Sequence, residues 1–127
     1  MCEREGFRMP ARCGFVAAGC VLLAGCAQIE QTTTGGDPGR GAAAIVRYGC
    51  GSCHTIGGIS SARGLAGPPL TGIGSRIYVA GVLQNTPENL IRWIRHPKEV
   101  DEKTVMPDLG LSQEDATDIA AYLYTLK

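Results

Sequence analysis

The chain has 127 residues with 12 basic and 12 acidic side chains, so its formal charge is zero and no basic stripe is available for nucleic acid. One Trp, four Tyr and two Phe are too few aromatics to fill an interior unaided. A domain this small leans on disulfides, a metal or a cofactor for its core, and the six cysteines are the candidates for supplying one.

Residues 1–25 read as an export signal. Arg4, Arg8 and Arg12 form a basic head, and Gly14 to Gly25 is an uncharged, mostly apolar run. A spanning helix needs about 20 apolar residues, so this run is too short to cross and cleavage is expected. The competing reading, a buried core helix, would need the basic head and the Thr/Gly stretch behind it to belong to a domain. The run ends in Leu23-Ala24-Gly25-Cys26, which resembles the lipobox of bacterial lipoproteins, where the cysteine is acylated and becomes the first mature residue. Two or three acyl chains, at about 0.8 kcal/mol per buried methylene, anchor firmly where one does not. Ordinary cleavage to a soluble periplasmic protein is the alternative. Residues 26–36 then form a lipid-anchored flexible tether, since Thr32-Thr33-Thr34-Gly35-Gly36 is polar and aperiodic. Removing Arg4, Arg8 and Arg12 with Glu3 and Glu5 leaves 9 basic and 10 acidic residues, so no strong docking field is encoded.

The folded domain is expected over 37–127. Asp37 as N-cap and Pro38 at the first helical position open a helix, Gly41, Ala42, Ile45 and Val46 give it an apolar face, and Gly49 stops it. Directly after comes Cys50-Gly51-Ser52-Cys53-His54. Two thiols two residues apart, followed at once by an imidazole, is the spacing that attaches a c-type haem. Each thiol can add across a porphyrin vinyl group, and His54 then serves as the proximal iron ligand. A structural zinc site would want four ligands, usually from two such pairs, and no second pair follows. A thioredoxin-like redox pair should lie near alternating strands and helices, which are missing from the pattern. A plain Cys50–Cys53 disulfide leaves His54 unexplained. The cysteines are then all assigned: Cys2, Cys13 and Cys20 leave with the signal, Cys26 carries lipid, and Cys50 and Cys53 carry haem.

Thr55 to Arg76 reads as a long glycine-rich loop, of the kind that wraps a cofactor edge. Within it, Gly67-Pro68 supplies a carbonyl, that of Pro68, for the free ring N–H of a proximal histidine. Taken alone, Gly-Pro is only a turn signal. Thr86-Pro87-Glu88 opens a second helix with Leu90, Ile91, Trp93 and Ile94 on its apolar side, and His96-Pro97 ends it. Trp93 reads as core rather than as an electron conduit. Met106, in Lys103-Thr104-Val105-Met106-Pro107-Asp108, is the one methionine left after signal removal and the candidate distal thioether ligand. A gap-filling core Met is the alternative. His96 is the rival ligand, read instead as a solvated capping imidazole. Ser112-Gln113-Glu114-Asp115 resembles a capping box, and Ala116, Ile119, Ala120, Leu123 and Leu126 recur at helical spacing behind it.

From Gly41 to Lys127 these residues resemble a class I, mitochondrial-type cytochrome c domain, and the wording from Tyr48 to Leu126 is similar to the cytochrome c domain fused to subunit II of some bacterial haem-copper oxidases. The resemblance implies an all-α fold of three to four short helices wrapped around one covalently attached haem c, with the first and last helices crossing through a glycine and an aromatic pair. Ile45 stands where Phe is common, while Tyr122 is present. It further implies single-electron transfer, with no catalytic residue, between a redox donor and acceptor such as a haem-copper oxidase or membrane dehydrogenase, on the extracytoplasmic face of a bacterial membrane. The copper-binding part of that subunit is missing from the sequence. A haem peroxidase or gas sensor with a labile distal ligand, and a fixed cytochrome subunit of an oxidase or dehydrogenase, are the rival functions.

Overall fold

Helix α1 (Pro38–Arg47) begins where Asp37 accepts the Arg40 N–H on its carboxylate at 2.7 Å, with Pro38 at the first helical position. These contacts belong to a computed structural model that describes residues 33–127, so the export signal, Cys26 and most of the tether lie outside the described residues. The remaining elements are a hairpin of β1 (Tyr78–Val79) and β2 (Leu83–Gln84), α2 (Pro87–Arg95), α3 (Pro97–Val100) and α4 (Gln113–Tyr124). Among the described residues, four helices and little strand make the fold all-α, as expected.

Helix α1 packs most extensively against α4. Their backbones meet at Gly41, where a Cβ would run into the Asp118 carbonyl and stand 3.0 Å from Cβ of Tyr122. Glycine is required there because no side chain fits between the two helices. Ala44 and Ile45 of α1 then reach Ala116, Ile119, Ala120 and Leu123 of α4, all buried, and Leu90 and Ile94 of α2 complete the same core. Tyr122 also ties α4 to the loop after α1 by donating its hydroxyl to the Gly57 carbonyl at 2.7 Å.

Several details differ from the sequence expectation. Val46 is exposed, and Ala44 takes its place, because positions 41, 44 and 45 share the face turned to α4. The stretch 55–76 is a loop, as expected, but carries a bridge between Thr55 and Arg63 and a 3₁₀ turn over Ile73–Ser75. The hairpin and α3 were not anticipated. Two-residue strands show no alternation to read, and the hairpin is held by the buried Val79 and by the Asn85 N–H donated to the Ile77 carbonyl at 2.8 Å. Pro97 ends α2 and also starts α3, where it is fully buried.

Two polar expectations are corrected. Ser112 caps α4 by accepting the Asp115 N–H at 3.0 Å, but the Asp115 carboxylate does not return to the cap backbone. It accepts instead from the Tyr48 and Ser112 hydroxyls and from the Arg47 guanidinium, joining α4 to the end of α1. The Tyr48 bond, with Ser112 and Arg47 beside it, holds the Asp115 carboxyl below the usual range. His96 caps α2 with its backbone N–H, which donates to the Arg92 carbonyl. Its imidazole faces carboxylates, with Nδ1 3.7 Å from Asp108 and 3.9 Å from Glu99.

Candidate haem site

Immediately after α1, Gly49 turns the chain into a 3₁₀ turn over Cys50–Ser52. The N–H groups of Cys53 and His54 both donate to the Cys50 carbonyl, at 3.3 and 3.0 Å. This single turn puts both thiols and the imidazole on the wall of one cavity. Both cysteines are free and partly buried, and burial pushes the Cys50 thiol up.

The loop that follows returns along the turn and clamps it. Gly64 donates to the Gly51 carbonyl at 2.9 Å, Gly67 to that of Cys53 at 2.7 Å, and Leu70 to that of Thr55 at 2.9 Å. His54 Nδ1 lies 2.7 Å from the Pro68 carbonyl. A carbonyl only accepts, so Nδ1 carries a proton, and in the neutral ring Nε2 then keeps its lone pair for another partner. Gly67 packs against the ring itself: a Cβ there would sit 2.5 Å from Cε1 of His54. The imidazole is thus fixed in tautomer and orientation before any ligand arrives.

The cavity measures about 440 Å³, within the range of small-molecule and cofactor sites. Ile45, Leu90, Ile94, Ile119 and Leu123 bring core side chains to it from α1, α2 and α4. Met106 lines it from the loop between α3 and α4, and half-buried Trp93 lines it from α2. Cys50, Cys53, His54, Pro68 and Met106 are therefore brought together on one cavity, whereas His96 is not among the residues lining it.

Sequence reasoning missed Arg76, among the described residues the one Lys, Arg, Asp or Glu on that wall. Its guanidinium donates to the carbonyls of Pro69 at 2.7 Å and Thr71 at 3.1 Å. Asn85 completes the support by donating to the carbonyls of Ile73 and Arg76 and accepting from the Tyr124 hydroxyl at 2.9 Å. Burial, with Glu88 nearby, raises the Tyr124 phenol. No local signal marks these residues, since partners 39 positions apart meet only in the fold. Also missed was Asp118, which is 3% exposed and accepts from the Asp37 N–H at 2.7 Å and from two nitrogens of Arg40. The Arg40 bond, followed by that of Asp37, holds its carboxyl below the ordinary range.

Comparison with known proteins points the same way. Over 79 residues the chain is 43% identical to cytochrome c oxidase subunit 2 of Alkalihalophilus pseudofirmus, covering 61% of this chain and 22% of that relative. Over 88 residues it is 31% identical to cytochrome c oxidase subunit 2 of Bacillus sp. strain PS3, covering 66% of this chain and 25% of that relative. The chain thus matches about a quarter, or less, of the length of these curated relatives. The family model for cytochrome c spans residues 39–127, from the start of α1 through the cavity to the end of the chain, and by this match the protein belongs to the cytochrome c family.

Proposed function

We propose that the protein carries one haem c, attached through Cys50 and Cys53, ligated by His54 and Met106, and that it passes single electrons in a respiratory or related chain. The observation that carries this reading is the 2.7 Å bond from His54 to Pro68, which leaves Nε2 free beside two thiols and an apolar cavity. The donor set fits the group: two thiols for thioethers, an imidazole and a thioether for iron, and the Arg76 cation for a carboxylate edge on a wall that the described residues make mostly apolar. When bound, haem c supplies a one-electron iron couple. Pro68 and Gly67 orient His54, the aliphatic wall excludes water, and Met106 offers a neutral sulfur that favours the reduced state and raises the potential.

The roles proposed outside the cavity rest on sequence. Residues 1–25 are the export signal, Cys26 is the acylated residue and 26–36 the tether of a domain over 37–127, which places the carrier on the extracytoplasmic face of a bacterial membrane. Among the described residues no helix is long and apolar enough to cross a membrane. Its partners are a redox donor and acceptor. A fixed place beside a haem-copper oxidase is the second reading, favoured by the two relatives that are cytochrome c oxidase subunit 2. Intact mass of the mature protein tests the first reading, with one haem, acylation and loss of residues 1–25 all expected. A colourless product with both thiols titratable contradicts it. Co-purification of a stoichiometric oxidase from native membranes would favour the fixed subunit.

A further inference from the structure

We infer that Lys98 is a positioning residue for Met106, holding the loop that carries the distal thioether against the cavity. The inference rests on the assignment of Met106 as a ligand. Helix α3 is anchored in the core by the fully buried Pro97, and Lys98 is the next residue. Its ammonium donates to the Thr104 carbonyl and reaches that of Glu102 at 3.4 Å. Among the described residues, it is the only side chain outside 101–110 that donates a hydrogen bond into that segment.

The connection continues toward Met106. Thr104 lines the cavity, gives its N–H to the Asp101 carbonyl at 3.0 Å, and accepts the Met106 N–H on Oγ1 at 3.2 Å. Lys103 gives its own N–H to the Asp101 carboxylate at 3.0 Å, closing the turn. A short relay therefore runs from buried Pro97 through Lys98 and Thr104 to the backbone of Met106. On the far side of Met106, His96 Nδ1 stands 3.7 Å from Asp108, too long for a hydrogen bond. Position 98 suits a lysine because both acceptors are carbonyls, and an ammonium offers three donors and no acceptor. Loss of that ammonium removes the side-chain tie between α3 and the turn at 101–104 while leaving Met106 itself unchanged.

Displacement of Met106 by added imidazole in the ferric, haem-loaded protein tests this, because entry of imidazole waits on the loop opening. Lys98→Met keeps the aliphatic stem, and it is expected to raise the imidazole association rate about 5- to 10-fold, as loss of one solvent-exposed hydrogen bond implies. Lys98→Arg should restore the rate to within about twofold, since a guanidinium also donates to carbonyls. Arg92→Met, removing an exposed cation from α2, should leave it unchanged. An unaltered rate in Lys98→Met, with the near-infrared sulfur-to-iron band present, overturns the inference alone. Equal acceleration by Arg92→Met also overturns it, because any lost cation would then suffice. Absence of that band from the unsubstituted protein overturns the Met106 assignment and the inference with it.

Discussion

Residues 49–70 and residues 101–110 both line the cavity, yet they are secured by different kinds of contact. The first is tied by backbone bonds from Gly64, Gly67 and Leu70 and by the imidazole bond to Pro68, with Gly67 pressed against the ring. The second depends on short-range turns and one exposed lysine. The imidazole is held by contacts from a returning loop, whereas the Met106 segment is held from outside by one side chain among the described residues.

The largest effect is expected where the rigid side is overfilled. Gly67→Ala places a methyl 2.5 Å from His54, so the ring or the loop must shift. A loss of about 3 kcal/mol in denaturant unfolding is expected, at the upper end for overpacking, together with a changed Soret spectrum. A neutral outcome would mean that this side is softer than described. Met106→Ala acts on the looser side. It should cost about 1–2 kcal/mol, less than for a fully buried Met, while lowering the reduction potential and admitting cyanide. An unchanged potential and spectrum would remove Met106 from the site.

A third substitution probes the frame that both sides share. The Asp118 carboxyl is held below its unfolded value, so it binds fewer protons folded than unfolded wherever the unfolded chain titrates. Its stabilising contribution is therefore full above about pH 4–5 and declines as pH falls toward the depressed folded value. Asp118→Asn should lower stability at neutral pH and flatten the acid limb of stability against pH, as followed by circular dichroism. A parallel acid limb in both proteins would assign acid sensitivity elsewhere. The smallest effect belongs to the hairpin tip, where Ala80 is the only described non-glycine residue with positive φ, at 56°. Ala80→Gly should stabilise by about 0.5 kcal/mol, relief of left-handed strain being partly offset by unfolded-state entropy. Destabilisation would show that the alanine methyl, which lines the cavity, contributes packing instead.

What the sequence revealed follows the reach of the forces involved. The caps at Asp37, Thr86 and Ser112 act within one turn of helix, and the Cys50 to His54 motif is five consecutive residues, so each was readable locally. Pro68 was readable because a proximal imidazole needs an acceptor and Gly67-Pro68 offered one nearby. Asp118 was hidden because its partners, Asp37 and Arg40, lie about 80 residues away in the chain. Asp115 misled for the same reason: its position matches a capping box, but Tyr48 and Arg47 of the opposing segment take the carboxylate. The hairpin was invisible because packing of Val79, rather than strand propensity, holds it.

Native-state hydrogen exchange on the haem-loaded protein tests the contrast between the two sides most directly. The amides of Gly67 and Leu70 should exchange at least about 100-fold more slowly than those of Lys103 and Met106, because local opening frees the second set without unfolding the first. Equal protection of the two sets, or slower exchange at Lys103 and Met106, would contradict the account.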